Sequence, residues 1–174
     1  MPRIHDYAQN TPEISDRVFL APGSHLIGKV RIGVDSSVFH NAVLRADINY
    51  INIGTRTNIQ DNTTIHVADK FGVDVGNDVT IGHNAIIHAC CIEDNVTIGM
   101  GAIIMDGSVI RKNSVVGAGA LVTGGSEFPE GSLILGSPAK KVRDLRPDEI
   151  AANSKMAIKY CNVKDRFLQE QPAL

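Results

Sequence analysis

Residues 92–122 read IEDNVTIGMGAIIMDGSVIRKNSVVGAGALV, and every sixth position, Ile92, Ile98, Ile104, Ile110, Val116 and Val122, is aliphatic. Outward from there, the same beat opens the chain as Ile14, Leu20, Leu26, Ile32, Val38 and Leu44. It returns as Ile53, Ile59 and Ile65, then as Val75, Ile81 and Ile87. A six-residue aliphatic period is the signature of a parallel β-helix. Four steps after most anchors stands a small or branched residue, among them Ser24, Ala42, Thr63, Ala85, Ala102 and Ala120. Two inward positions in six, with a turn between, give one short strand per face of a three-sided prism. Three faces make a coil of about 18 residues, and coils stack roughly 4.8 Å apart. Residues one coil apart therefore sit one above another.

Six is not a helical repeat, and residues 14–126 are rich in Gly, Asn, Asp and β-branched residues, which excludes an α-helix there. The expected organisation is an all-β domain with a helical tail: an N-terminal cap over 1–13, the β-helix over 14–126 and a connecting loop over 127–146. The loop is inferred from the Gly- and Pro-rich stretch GGSEFPEGSLILGSPAKKVRDL. A C-terminal segment, 147–174, completes the chain. Pro147, Asp148 and Glu149 give the proline-then-acid start of a helix. An apolar stripe from Ile150 to Leu168 extends that helix to about residue 170, packed along one flank of the prism.

The 174 residues suit one domain, and aromatics supply only 5% of them with no Trp, so the core must be aliphatic. Apolar runs are far short of a membrane span, and the N-terminus lacks the apolar stretch of a signal peptide, so a cytoplasmic location is expected. A net charge of −2 with no basic block gives no electrostatic reason to expect nucleic acid or a membrane surface. Three cysteines, Cys90, Cys91 and Cys161, argue against a disulfide framework.

The beat breaks three times: nine residues from Leu44 to Ile53, ten from Ile65 to Val75 and five from Ile87 to Ile92. Chemistry is expected between the first break and the last. His66 follows Ile65 as His88 follows Ile87, so the two imidazoles stack one coil apart if the insertion after His66 is a bulge that preserves register. Roots about 5 Å apart suit two nitrogens on one zinc. His83 stands two steps after Ile81, on the neighbouring face, and cannot easily turn back to the same ion. A second copy of the chain packed alongside could supply it, which predicts a homotrimer with three equivalent three-histidine sites. Arg45 falls below His66 in the same count, with Asp47 beside it, and Gln60 and Asp61 approach from the His83 side. His5, His25 and His40 read as solvated surface side chains.

Together, the runs AVLRAD (42–47), TNIQDNTTIH (57–66), TIGHNAIIHACCI (80–92), IGMGA (98–102) and GSPAKKVR (136–143) resemble the γ-class carbonic anhydrases and their bacterial homologues. The resemblance covers nearly the whole chain. It implies a left-handed β-helix, a trimer, and Zn2+ or Fe2+ held by His66 and His88 of one subunit and His83 of the next. It also implies roles for Arg45, Asp47, Gln60 and Asp61, and contacts to the site from Tyr160 and Asn162 on the terminal helix. The implied reaction is reversible hydration of CO2 to bicarbonate, the metal lowering the pKa of its water to about 7. Where the best-characterised members carry a glutamate directly after the aspartate matching Asp47, this chain has Ile48. The loop after His66 is short, leaving Asp69 and Asp74 as its acids, and two glycines of the family are Ala46 and Ala89. GSPAKKVR also suggests a hexapeptide acyltransferase or acyl-CoA thioesterase, with Lys140 or Lys141 on the cofactor's phosphates. A third possibility is a non-catalytic, metal-binding trimeric scaffold.

Overall fold

A computed structural model describes residues 1–170. The hexapeptide anchors form three columns, one per face of a parallel β-helix of about seven coils. Face A stacks Ile14, Ile32, Ile53, Val75, Ile92 and Ile110 in parallel register. Face B stacks Leu20, Val38, Ile59, Ile81, Ile98 and Val116. Face C stacks Ile4, Leu26, Leu44, Ile65, Ile87, Ile104 and Val122. From Leu26 to Val122 these anchors are buried and pack as one continuous aliphatic core. The second inward positions are small because they line the corners, and their hydroxyls bond the turn backbone: Ser24 Oγ donates to Ala21 O (2.7 Å) and Thr57 Oγ1 to Gly76 O (2.7 Å). Most corners place an Asn, Asp or Gly in the left-handed region, as at Asn62, Asn84, Asn95 and Gly101, where those residues are tolerated best.

All three breaks in the beat fall at one corner, where face C turns into face A. Residues Val43–Ile53 run round it as one long strand paired to His25–Ile32, with a bulge at Gly28/Val30. Gly28 has φ +76°, and a Cβ there would lie 2.4 Å from Ala46 O, so only glycine fits. The second insertion is a loop closed by Ala68 N–H donating to Phe71 O (3.0 Å) and held by Asn49 Nδ2 donating to Ala68 O (3.0 Å). The extra chain is expelled outward, and the coils on either side keep their register.

The expected connecting loop over 127–146 is a correction. Glu127–Phe128 pairs with Val109–Ile110 on face A, and Ser132–Gly136 pairs with Val115–Val116 on face B. Phe128 and Ile134 continue the six-residue beat past Val122, hidden in the sequence by an aromatic anchor and by the density of Gly and Pro. Ala139–Asp144 then folds back antiparallel on Ser132–Gly136, covering a sheet edge that would otherwise offer unpaired backbone. Within the expected N-terminal cap, Arg3–His5 joins the stack by pairing in parallel with His25–Ile27.

The helix α1 spans Pro147–Glu170. Glu149 reaches back to accept from the Arg146 N–H (2.8 Å), and Asp148 and Glu149 sit in the positive first turn. Residues 171–174 of the expected C-terminal segment lie outside the described residues. The helix covers face B, burying Phe19, Ser37, Asn58 and Thr80, and its Tyr160, Val163 and Phe167 pack on Phe19, Ala21 and Phe39. Ile81 is fully buried in the middle of face B. Ile81→Ala is expected to cost about 2–5 kcal/mol, read as a lowered urea midpoint by circular dichroism.

Candidate metal centre

Register preserved across the outward bulges places Arg45, His66 and His88 in one column at the end of face C. The two imidazoles are partly buried, with ring centroids 5.1 Å apart. His66 Nδ1 faces His88 Nε2 at 3.1 Å. Each outer nitrogen is held by a carboxylate: His66 Nε2 lies 3.1 Å from Asp47 Oδ1, and His88 Nδ1 lies 2.6 Å from Asp106 Oδ1. Burial pushes the Asp47 carboxyl up, but hydrogen bonds from His66 and Arg45 outweigh it and hold the group below the usual carboxylate range.

Those partners assign the tautomers. A carboxylate only accepts, so the protons sit on His66 Nε2 and His88 Nδ1. With both rings neutral, the inner nitrogens present two lone pairs to each other, an arrangement that a cation between them would relieve. Zinc–nitrogen bonds of 2.0–2.1 Å at the tetrahedral angle put two ligands about 3.3 Å apart, close to the spacing here. The donor set therefore fits a zinc-type ion.

His83 sits at the opposite edge of face C, in the corner after Ile81. Its Nδ1 lies 2.8 Å from Asp61 Oδ2, which leaves Nε2 free to face outward chemistry. Asp61 Oδ1 also accepts from the His40 backbone N–H and lies near His40 Nδ1, both at 3.3 Å. His40, expected as a solvated surface residue, is thus tied into this corner, while His5 and His25 stack ring on ring at 5.7 Å near the N-terminal end. The strip of face C between His83 and the histidine pair exposes Ile86 (42%), and Met100 (59%) and Met105 (39%) lie on the next coil. Among the described residues of one chain, no three His, Cys, Asp or Glu side chains converge on a common point.

Gln60 is buried under α1, its Nε2 donating to Asn58 Oδ1 at 3.1 Å. Burial, and then the charge of Asp61, raise the Tyr160 phenol, partly offset by the hydrogen bond with Gln60. The Tyr160 ring also meets Phe39 edge-on at 5.6 Å. Asn162 lies elsewhere, on the exposed side of α1 beside Lys155, Lys159 and Arg166. Arg45 and Asp47 pair with each other within the chain. Asp106 was missed in the sequence, although coil counting places it opposite Ala89, whose carbonyl accepts from the Gly107 N–H.

The descriptor of bacterial transferase hexapeptide repeats matches residues 92–124. A probable carbonic anhydrase of Methanocaldococcus jannaschii is 47% identical over 87% of this chain and 96% of its own length. Gamma carbonic anhydrase 2 of Arabidopsis thaliana mitochondria is 42% identical over 88% of this chain. The chain belongs to the γ-carbonic anhydrase family. Its coils are accordingly those of a hexapeptide-repeat left-handed β-helix. The chain spans 57% and 60% of the length of two Arabidopsis relatives. Among solved structures, a putative acetyltransferase of Bacillus cereus superposes with a TM-score of 0.96 at 34% identity, over 98% of this γ-family chain and 99% of that one.

If Asp106 holds the His88 tautomer as the geometry requires, Asp106→Asn is expected to weaken zinc binding about 10- to 100-fold, measured by competition with a chromophoric chelator. Unchanged affinity would detach Asp106 from the centre.

Proposed function

We propose that this protein catalyses the reversible hydration of CO2 to bicarbonate at metal sites shared between the subunits of a homotrimer. The observation that carries the proposal is the facing pair of His66 Nδ1 and His88 Nε2, 3.1 Å apart and each backed by a carboxylate. The pair supplies two ligands along one edge, and His83, facing out from the other side of face C, is the third, given by a neighbouring copy. The exposed Ile86, Met100 and Met105 around these edges favour self-association on that surface. Zinc is the metal the donor set favours, with Fe2+ also compatible with imidazole ligands. His66, His83 and His88 would hold such an ion, which when bound would lower the pKa of water to about 7 and supply a nucleophile at neutral pH.

The chain's own residues set the geometry. Asp47, Asp61 and Asp106 fix the ring orientations of His66, His83 and His88. Arg45 balances the charge of Asp47. Gln60, buried with its Nε2 held by Asn58 Oδ1, is the amide assigned to orienting substrate. Asn162, on the exposed side of α1, reaches substrate only at a contact with another subunit. The absence of a membrane-crossing helix among the described residues and the bacterial and archaeal relatives support a cytoplasmic enzyme.

The name of the Bacillus cereus neighbour favours acyl transfer as the second reading. The hairpin that would hold a CoA phosphate has Lys141 paired with Asp144 and Arg143 paired with Glu149. Micromolar acetyl-CoA binding that survives chelation would favour this reading over hydration. A trimer that falls apart in His88→Ala would instead favour a metal retained for assembly.

Subunit mixing tests the shared site. His66→Ala and His83→Ala are each expected to abolish CO2 hydration. Refolded together in equal amounts, they are expected to regain about one quarter of wild-type sites by random pairing around the ring, read by stopped-flow hydration and metal content per chain. No recovery would place all three ligands in one subunit or none. At the rim, Ile48 (53% exposed) stands where an acid would carry the proton away. Turnover is therefore expected to rise with the concentration of an imidazole-type buffer while kcat/KM stays constant.

A further inference from the structure

The ammonium of Lys164 is fully buried, 0% exposed, under α1. Its Nζ lies 3.0 Å from Asp35 Oδ1 and 2.5 Å from Asp165 Oδ1. Arg17 closes the cluster from the solvent side, with Nε 2.7 Å from Asp35 and Nη2 3.3 Å from Asp165. The Cys161 thiol donates to the Asp35 carbonyl at 3.7 Å. One ion cluster thus joins the second half of α1 to the corners that carry Arg17 and Asp35.

A buried charge tolerates little change of position, because moving it away from its partners leaves it unpaired in a dry site. Sliding α1 by one residue rotates every side chain by about 100°, which would carry Lys164 off both carboxylates. The cluster therefore specifies the register of the helix. Tyr160 is one turn back on the same face, at i−4, against Phe39, which lies one coil below Gln60. Further back, buried Asn153 accepts from Thr97 Oγ1 (2.9 Å) and donates to Asn95 O (3.0 Å) and Ser114 O (3.2 Å). Two polar pins, on coils far apart in the stack, bracket Tyr160 between them.

We infer that Lys164 is a positioning residue for the candidate site: its buried ion cluster with Asp35, Asp165 and Arg17 sets the register of α1 and so fixes the place of Tyr160, whose ring meets Phe39 one coil below Gln60. The inference rests on Gln60 and Tyr160 belonging to the site. Lys164→Met keeps the length and apolar stem of the side chain and removes only the charge. In the metal-free trimer, hydrogen exchange of amides 158–170 is expected to quicken about tenfold or more. The ring-labelled Tyr160 resonance, assigned with Tyr160→Phe, is expected to shift and to titrate at lower pH as the phenol is uncovered. Unchanged exchange together with an unmoved Tyr160 resonance would overturn the inference. Should Lys164→Met fail to assemble, Asp35→Asn removes one acceptor from a partly exposed position, and its expected changes run the same way at smaller size.

In metal-loaded protein, Lys164→Met and Tyr160→Phe are expected to lower kcat/KM for hydration by similar factors, and the double variant to be no worse than either alone. Fully additive losses would show that Lys164 acts on the site by some route other than Tyr160. Wild-type protein that binds zinc without hydrating CO2 would defeat the proposed function, while the exchange and tyrosine signals still decide the role of Lys164.

Discussion

Register between successive coils is the constraint on which the rest of the structure depends. In a strand, a slip of one residue sends a side chain to the opposite face, so a single misplaced insertion on face C would have turned His88 inward against the core. The chain carries a net excess of residues between Leu44 and Ile92, yet all of it lies at the corner from face C to face A, as a bowed strand, a closed loop and a tight step. The hydrogen bonds of Ile65 to Ile87 and of Leu44 to Ile65 proceed as though nothing had been inserted. Column order at the site follows directly, with Arg45 under His66 and His66 under His88.

Stacking alone would leave three imidazoles with free tautomers and loose rings. Each is instead backed by a carboxylate from another turn of chain: Asp47 below His66, Asp61 below His83 and Asp106 beyond His88. Because a carboxylate accepts and never donates while ionised, each contact fixes which nitrogen keeps a lone pair. With both rings neutral, the pair presents two lone pairs to each other at 3.1 Å. Preorganised donors of this kind are costly alone and favourable around a cation.

Much of this was legible in the sequence, for a definite reason. Hexapeptide spacing is a rigid code, so counting from Ile65 and Ile87 was enough to stack His66 on His88, and counting from Ile59 and Ile81 was enough to set Asp61 under His83. The same counting would have reached Asp106 and the final coil at Phe128 and Ile134, where an aromatic anchor and the run of Gly and Pro masked the beat. His40 keeps a side chain 40% exposed, and its contact with Asp61 was out of reach because the two are far in sequence and near only through stacking. The ion cluster of Lys164 lay beyond periodicity altogether: its partners Asp35 and Arg17 meet α1 across face B, and no spacing rule relates residues on a helix to corners on a prism.

Acidic residues near the insertions divide by what their oxygens already hold. Asp74 reads as a candidate proton carrier in the short loop, but it accepts from the Tyr50 hydroxyl at 2.8 Å and from Asn52 Nδ2 at 2.9 Å. The hydrogen bond to Asp74 first, and burial second, raise the Tyr50 phenol, so the donor stays protonated and the pair stays made. A carboxylate with both oxygens engaged by fixed donors must break one of those bonds to accept a proton, which opposes transport. Asp74 therefore pins the bowed strand Val43–Ile53 to the coil above it, and that strand carries Arg45 and Asp47. Asp74 thus serves the register that aligns the histidines.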